Sequence, residues 1–361
     1  MLRALGPDAA TAALERTGGL PPGLARVQVG LPGREAWGAE LGGGVAYFSM
    51  EFAFTDHLPI FSGGLGVLAA DHVKAASQLG LPVVGIGLLY RTAFARQAID
   101  ADGAQLSTFP ATDVRDLPVE PLQRDRRQAR VTVPVGAEEV HVDLWRTWVG
   151  SLPMILLDTA TEDNPEHLRG ITDRLYPSDP EARLRQEILL GIGGVRALRA
   201  ANLAPTLFHL NEGHSFLAPF ELLRERIARG EDPDRARAAL PGSTIFTTHT
   251  PVAAGSDYFE PGLVAGLLGP FLESAGVGVD EFMGWGRLHP DDGGERLCTT
   301  YVALRAAGTS VGVSRLHGAV SRRLWRGAGP AIEGGDDQVP SGSVTNGVHM
   351  PTWVAPEIAA L

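Results

Sequence analysis

The sequence predicts an α/β fold, and three observations support that prediction. Residues 45–49 and 82–90 are apolar runs of strand length, and residues 67–79 repeat apolar side chains at helical spacing. A glycine-rich turn at residues 63–66 separates the first run from the helix. A strand, a helix and a second strand in this order imply parallel pairing, because the helix carries the chain back to the start of the sheet.

The segment 91–158 has a different pattern and predicts an antiparallel β insertion in this domain. Short strands are expected at residues 131–135, 140–149 and 154–158, each bounded by turn residues. The chain then returns to alternating helices and strands. We expect helices at residues 184–198, 297–307 and 314–325, strands at residues 206–210, 243–247 and 310–313, and a last strand leading to 343–348.

The 361 residues exceed the usual size of a single core, so we expect one large domain with an insertion, or two domains. Residues 1–42 form a polar lead-in punctuated by glycine and proline, without the hydrophobic segment of a secretory signal. The main α/β domain is predicted to extend over residues 43–353, with an exposed loop at residues 334–340.

The composition argues against several classes of partner and chemistry. A net charge of −11 disfavours nucleic acid or an anionic membrane surface, and no apolar run reaches membrane-spanning length. The only cysteine, Cys298, cannot form an internal disulfide, which fits a cytoplasmic protein.

Lys74 is the only lysine, so Schiff-base chemistry within this chain requires it. Helical spacing places Lys74 beside Asp71 on the polar face of its helix, where we expect it to be solvated.

The glycine turn predicts an anion site. A helix that begins at this turn directs its unpaired N–H groups, and the positive end of its dipole, toward a ligand. Glycine also lets a ligand approach the backbone closely. For a glycine-rich turn taken alone, the alternative is a tight turn packed beneath the helix.

Polar residues follow the carboxyl ends of several predicted strands, which is where ligands bind in open α/β sheets. They are Glu51, Glu212, His214, the segment 248–250 and Asn346. Each has a structural alternative: an ordinary turn for His249 and Asn346, and a helix-dipole partner for Glu212. Together they suit a hydroxyl-rich ligand such as a sugar, with an anion at the glycine turn. The spacing of His209, His214 and His249 requires no metal, and a Ser-His-Asp triad is left open although no nucleophile-elbow motif occurs.

Nine stretches in collinear order resemble the α-glucan (glycogen/maltodextrin) phosphorylases, in particular their shorter bacterial branch. The stretches are residues 47–52, 58–72, 85–91, 174–177, 183–187, 209–215, 247–251, 314–318 and 345–349. The resemblance implies a GT-B fold, in which a sugar cleft lies between two Rossmann-like domains. It identifies this chain with the N-terminal Rossmann-like domain and its antiparallel β insertion, and residues 354–361 with the start of the crossover to a second domain.

The resemblance implies cleavage of α-1,4-glucans by inorganic phosphate, with release of glucose 1-phosphate and retention of configuration. Members of the family use the phosphate group of pyridoxal 5'-phosphate for proton transfer to the substrate phosphate. The family's cofactor lysine and its phosphate-binding Lys/Arg pair lie in the second domain, so the Schiff-base lysine is expected to be absent from this chain. The implied partners are maltodextrin, inorganic phosphate, and a C-terminal half or a second copy of the chain.

The resemblance also assigns roles to individual residues. His249 is implied to be a catalytic residue that holds the glucosyl unit, and Glu51 to support the site near the cofactor. Gly64 is implied to lie near the cofactor phosphate, Glu212 and His214 in the acceptor region, and Asp179 on a mobile loop over the site. The implied substrate-binding residues are Gly63, Gly64, Leu65, Gly66, Asp179, Glu212, His214, Thr250 and Asn346.

Three residues depart from the family pattern: Ala104, Ser256 and Val311 replace the usual tryptophan, histidine and asparagine. With the shorter lead-in, they suggest a truncated, divergent or split phosphorylase that is inactive alone. One alternative is a non-catalytic glucan-binding remnant or partner subunit. Another is a sugar-nucleotide-dependent GT-B glycosyltransferase, whose glycine turn is similar, although the other motifs are specific to phosphorylases. An open half-cleft also predicts poor solubility or self-association.

Overall fold

The computed structural model describes residues 44–92, 95–252, 255–328 and 342–359, and its centre is a ten-stranded, mostly parallel sheet. The strands are β1 (Val45–Phe48), β2 (Val83–Leu88), β3 (Glu120–Pro121), β4 (Arg130–Val135), β5 (Glu138–Val149), β6 (Leu152–Asp158), β7 (Leu207–Asn211), β8 (Thr244–Thr248), β9 (Thr309–Gly312) and β10 (Gly342–Ser343). They are arranged in the order β10-β9-β8-β7-β1-β2-β6-β5-β3, and β4 pairs with β5. The predicted α/β fold is therefore confirmed.

Twelve α-helices alternate with the strands along the described part of the chain. They are α1 (Gly64–Gln78), α2 (Glu166–Arg169), α3 (Pro180–Ile188), α4 (Gly194–Ala200), α5 (Ala218–Ala228), α6 (Pro233–Ala238), α7 (Pro261–Ser274), α8 (Val279–Gly286), α9 (Thr299–Ala306), α10 (Arg315–Leu324), α11 (Met350–Trp353) and α12 (Pro356–Ala359). A π-helical turn, Leu189–Gly193, joins α3 to α4. The helix predicted at 184–198 is therefore part of one continuous helical segment, residues 180–200.

The parallel strands form the core of the sheet. Every residue of β2 and β6 is buried, as expected for strands that are covered on both faces. The pairing β8-β7-β1-β2-β6 is parallel throughout. As a result the carboxyl ends of β1, β7 and β8 lie side by side, which is where the sequence places its polar residues.

The antiparallel strands of the 91–158 segment extend this same sheet at one edge. β5 pairs antiparallel with both β4 and β6, while β6 pairs parallel with β2. Three further two-stranded ladders lie off the sheet: Arg96–Ile99 with Gln105–Thr108, Gln123–Arg124 with Arg127–Gln128, and Tyr258–Phe259 with Leu297–Cys298.

Two predictions lie outside the described residues: the lead-in at 1–42 and the exposed loop at 334–340. Within the described ranges, no single helix has both the length and the apolar character of a membrane span. The pair α7 and α8 meets that test only when the two helices are joined, and they are bent by 113° relative to each other.

The prediction that Lys74 is solvated is wrong. Lys74 is 1% exposed, and its Nζ atom has no hydrogen-bond partner among the described residues. The segment 349–353 covers this face of α1, because the Asp71 carboxylate accepts hydrogen bonds from the His349 backbone N–H and the Trp353 indole N–H. Helical periodicity identifies the polar face of α1, but it carries no information on a segment about 280 residues later that packs against it.

Candidate functional site

The glycine turn leads directly into α1, which begins at Gly64, three residues before the predicted start. Gly63 is the N-cap in an extended conformation, with φ −145° and ψ −163°, and none of Gly63, Gly64 and Gly66 has a positive φ. A Cβ atom added at Gly63 or Gly64 meets nothing within 4 Å, and both residues are exposed. Neither backbone conformation nor packing therefore demands glycine at these two positions, and the space beside both backbones is open.

Gly66 differs from its two neighbours, because packing does require it to be glycine. A Cβ atom there lies 2.7 Å from the Phe61 Cβ atom and 2.8 Å from the Glu51 Oε2 atom. The packed-turn alternative from the sequence thus describes Gly66, while Gly63 and Gly64 remain open to a ligand.

Glu51 holds the turn from beneath. Its Oε2 atom accepts hydrogen bonds from the backbone N–H groups of Ser62 (2.7 Å) and Gly63 (2.9 Å), and its Oε1 atom accepts one from the Tyr176 hydroxyl (2.7 Å). The carboxylate is 2% exposed. In the described part of the chain, the N–H groups of Gly64 and Leu65 have no acceptor, so these two donors are available at the positive end of α1.

The ends of β7 and β8 are joined through Glu212. This residue has a strained backbone, with φ 67° and ψ −179°, which is rare for a residue other than glycine. Its Oε1 atom accepts hydrogen bonds from the His249 backbone N–H and from the Thr250 hydroxyl, the latter at 3.0 Å. Burial raises the pKa of Glu212, and the hydrogen bonds from His249 and Thr250 act in the opposite direction. Strain at a buried carboxylate that organises a neighbouring strand end is typical of a functional site.

His249 is held by its side chain as well as by its backbone. Its Nε2 atom lies 2.7 Å from the Asn211 Oδ1 atom, and the Asn211 Nδ2 atom donates to the Ser49 hydroxyl oxygen at 3.1 Å. The Ser49 hydroxyl donates to the Glu51 carbonyl oxygen at 2.9 Å. Burial, with a smaller effect from His317, lowers the pKa of His249 to about 4, so its imidazole is neutral at pH 7.

A continuous hydrogen-bonded network therefore links the glycine turn to His249. It contains the predicted residues Glu51, Gly63, Glu212, His249 and Thr250. It also contains Ser49, Tyr176 and Asn211, to which sequence reasoning assigned no role. Their positions in the sequence could have identified two of them, because Ser49 and Asn211 lie at the carboxyl ends of β1 and β7, close to the predicted residues Glu51 and Glu212.

His214 belongs to a buried ionic cluster beside this network. Its Nε2 atom lies 3.8 Å from the Asp257 Oδ2 atom, and Arg183 donates to the same oxygen at 2.9 Å. Burial, followed by the charge of Arg183, lowers the pKa of His214 to about 3. Arg183 also stacks 4.4 Å from the ring centre of Tyr176, which connects the cluster to Glu51.

The cluster contains the one set of potential metal ligands found among the described residues. Atoms of Glu187, His214 and Asp257 lie within 4.8 Å of one another. The Arg183 guanidinium already lies 3.3 Å from a Glu187 oxygen and 2.9 Å from an Asp257 oxygen, so a cation occupies this position. Burial and the charge of Asp257 raise the pKa of Glu187 well above its usual value. The Arg183 guanidinium therefore supplies the positive charge that faces the two carboxylates of the cluster.

Two predicted residues lie apart from the network. Asp179 is exposed and caps α3, where its side chain accepts from the Ala182 N–H at 2.9 Å. Asn346 is exposed and lines a cavity of about 470 Å³ between α1, the sheet and the segment 344–349. Asn211 also lines this cavity, whereas the glycine turn and His249 do not.

Comparison with known proteins identifies relatives that are longer than this chain. The chain is 42% identical over 333 residues to a glycogen phosphorylase of Mycobacterium tuberculosis, which covers 87% of this chain and 37% of the relative. It is 39% identical over 318 residues to a maltodextrin phosphorylase of Thermococcus litoralis, covering 88% and 37%. It is 32% identical over 322 residues to a glycogen phosphorylase of Aquifex aeolicus, covering 88% and 45%. No protein-family model matches the chain. The chain thus spans less than half the length of these relatives.

Proposed function

Because the chain belongs to the family of glycogen and maltodextrin phosphorylases, of which it spans a part, we propose that it forms the N-terminal, ligand-facing part of an α-1,4-glucan phosphorylase. The complete reaction is the transfer of a glucosyl unit from glucan to inorganic phosphate, with retention of configuration. In this proposal the parallel sheet is the first Rossmann-like half of a GT-B protein, and its location is cytoplasmic.

One observation carries the proposal: the unpaired N–H groups of Gly64 and Leu65 begin a helix, and a hydrogen-bonded network links this turn to a neutral, anchored histidine. The N–H groups of Gly64 and Leu65 are available for a phosphate oxygen, since Glu51 already binds the N–H groups before them. His249 offers one ring nitrogen to a sugar hydroxyl. Hydroxyl groups both donate and accept, so they suit a neutral imidazole better than an ionised one.

The remaining predicted residues have supporting roles in this proposal. Glu212 fixes the positions of His249 and Thr250, and Glu51 fixes the glycine turn. His214 and Glu212 face the glucan acceptor, and Asp179 lies on a loop over the site. Asn346 binds sugar hydroxyls from the segment that lines the cavity.

The described residues do not fit the covalent attachment of pyridoxal 5'-phosphate. Lys74, the only lysine, lies ten residues beyond Gly64 on α1, which is about 15 Å along the helix axis. Its Nζ atom is buried under the segment 349–353. We therefore assign no step of the reaction to the cofactor within this chain and expect the cofactor lysine in the part of the relatives that this chain does not span. The glycine turn suits a phosphate group, whether that group belongs to the substrate or to the cofactor.

The same observation about Lys74 favours a second candidate function, a glucan-binding chain without turnover. Both candidates predict that the chain binds maltodextrin, and titration calorimetry measures this directly. We expect binding that is weakened in Gly64→Ala and His249→Gln. No heat with maltodextrin, together with saturable heat with a sugar nucleotide, would instead support a sugar-nucleotide glycosyltransferase.

A further inference from the structure

The orientation of the Asn211 amide follows from its neighbours. The Ser49 hydroxyl donates its hydrogen to the Glu51 carbonyl oxygen at 2.9 Å, so toward Asn211 it can only accept. The Asn211 amide nitrogen must therefore face Ser49, at 3.1 Å, and the amide oxygen must face His249, at 2.7 Å. Asn211 is 1% exposed, so both contacts are made by a buried side chain.

The amide oxygen in turn determines which ring nitrogen of His249 carries hydrogen. An amide oxygen only accepts hydrogen bonds, so the Nε2 atom of His249 has to donate. The neutral imidazole has a single N–H group, which leaves Nδ1 bare. Nδ1 has no partner among the described residues, and the His249 backbone is held independently by Glu212.

We propose that Asn211 is a positioning residue that locks His249 in the Nε2-protonated tautomer and presents its Nδ1 atom as a hydrogen-bond acceptor to the ligand. The identity of the ligand as a glucan rests on the proposed function, whereas the tautomer does not. Ser49 also contributes, because its hydroxyl oxygen accepts from the Asn211 amide nitrogen and so opposes a flip of the amide group. The hydrogen bonds run from the Glu51 carbonyl oxygen through Ser49 and Asn211 to His249, which follows β8.

The tautomer is measured by NMR on the chain with ¹⁵N-labelled histidine, in which long-range ¹H–¹⁵N couplings distinguish the two ring nitrogens. Signals of His249 are assigned by their loss in His249→Gln. We expect the Nε2–H form in the wild type and a mixture with the Nδ1–H form in Asn211→Ala. Asn211→Asp keeps an acceptor opposite Nε2 and should retain the wild-type tautomer.

A matched control uses the neighbouring pair on the same strands, in which the His209 Nε2 atom lies 2.7 Å from the Thr247 hydroxyl. Thr247→Val should alter the signals of His209 and leave the tautomer of His249 unchanged. An Nδ1–H tautomer in the wild type, or an unchanged Nε2–H tautomer in folded Asn211→Ala, overturns the proposal. If Asn211→Ala does not fold, the wild type and Asn211→Asp still decide it.

Maltodextrin titration separates this inference from the proposed function. Loss of one neutral hydrogen bond should weaken binding roughly 3- to 10-fold in Asn211→Ala, with recovery in Asn211→Asp. Absence of maltodextrin binding in the wild type, together with the expected tautomers, refutes the glucan ligand and retains the role of Asn211. Equal maltodextrin affinity in wild type and folded Asn211→Ala contradicts presentation of Nδ1 to the glucan.

Discussion

Substitution of the turn glycines by alanine separates binding from packing. In Gly66→Ala the new Cβ atom lies 2.7 Å from Phe61 and 2.8 Å from the Glu51 carboxylate, so both neighbours must move. Overpacking of this kind costs about 1–3 kcal/mol. Removal of a helical glycine returns about 0.5–1 kcal/mol. We expect the free energy of unfolding to fall by roughly 1–2 kcal/mol.

Gly64→Ala should behave in the opposite way. No atom lies within 4 Å of the added Cβ, so only the helix-propensity gain of up to about 1 kcal/mol remains. The methyl group, however, occupies the space where a ligand approaches the N–H groups of Gly64 and Leu65. We expect the affinity for inorganic phosphate and maltodextrin to fall about tenfold or more.

Denaturant unfolding measures stability, and NMR titration of the turn amides measures phosphate binding. Gly262→Ala is the matched control, because Gly262 also lies in the first turn of a helix, with nothing within 4 Å of its Cβ position. It should gain stability without losing affinity. Unchanged phosphate and maltodextrin affinities in Gly64→Ala, in a folded protein, would refute the idea that these glycines admit a ligand.

Three further substitutions test the electrostatics of the site. Burial lowers the pKa of His249 to about 4, so the unfolded state binds more protons than the folded state between pH 4 and about 6.5. The free energy of unfolding therefore falls as the pH drops through this window. In His249→Gln, urea unfolding should show this dependence on pH reduced by roughly 1.4 kcal/mol per pH unit. Burial also lowers the pKa of Lys74, against the opposing charge of Asp71, so wild-type stability should rise relative to Lys74→Met as the pH approaches about 10.4, and a constant difference would contradict this. Tyr176→Phe removes a donor to the Glu51 carboxylate and should cost about 1.5–3 kcal/mol by thermal unfolding, with no loss if Tyr176 is a spectator.

Local patterns in the sequence predict the strands and helices well, because each one depends on residues close to one another in the chain. The apolar runs at β2 and β6 and the helical spacing in α1 are such cases. The glycine turn before α1 is also recognisable as a local pattern, although the turn uses no left-handed conformation.

Contacts between distant residues account for what the sequence missed. Tyr176 reaches Glu51 across 125 residues, and Asn211 reaches Ser49 across 162. The burial of Lys74 depends on a contact between Asp71 and His349, 278 residues apart. None of these pairings leaves a periodic signal, so the hydrogen-bond network behind the site is visible only in the folded chain.

Phosphorolysis by a reconstituted protein tests the central proposal most directly. The chain is joined to the remaining part of the Mycobacterium tuberculosis relative and supplied with maltodextrin, inorganic phosphate and pyridoxal 5'-phosphate, and glucose 1-phosphate is measured. We expect no product from the chain alone, product from the joined protein, and loss of product with His249→Gln. Product from the chain alone, or none from a folded joined protein that has bound the cofactor, would contradict its role as the N-terminal part of a phosphorylase.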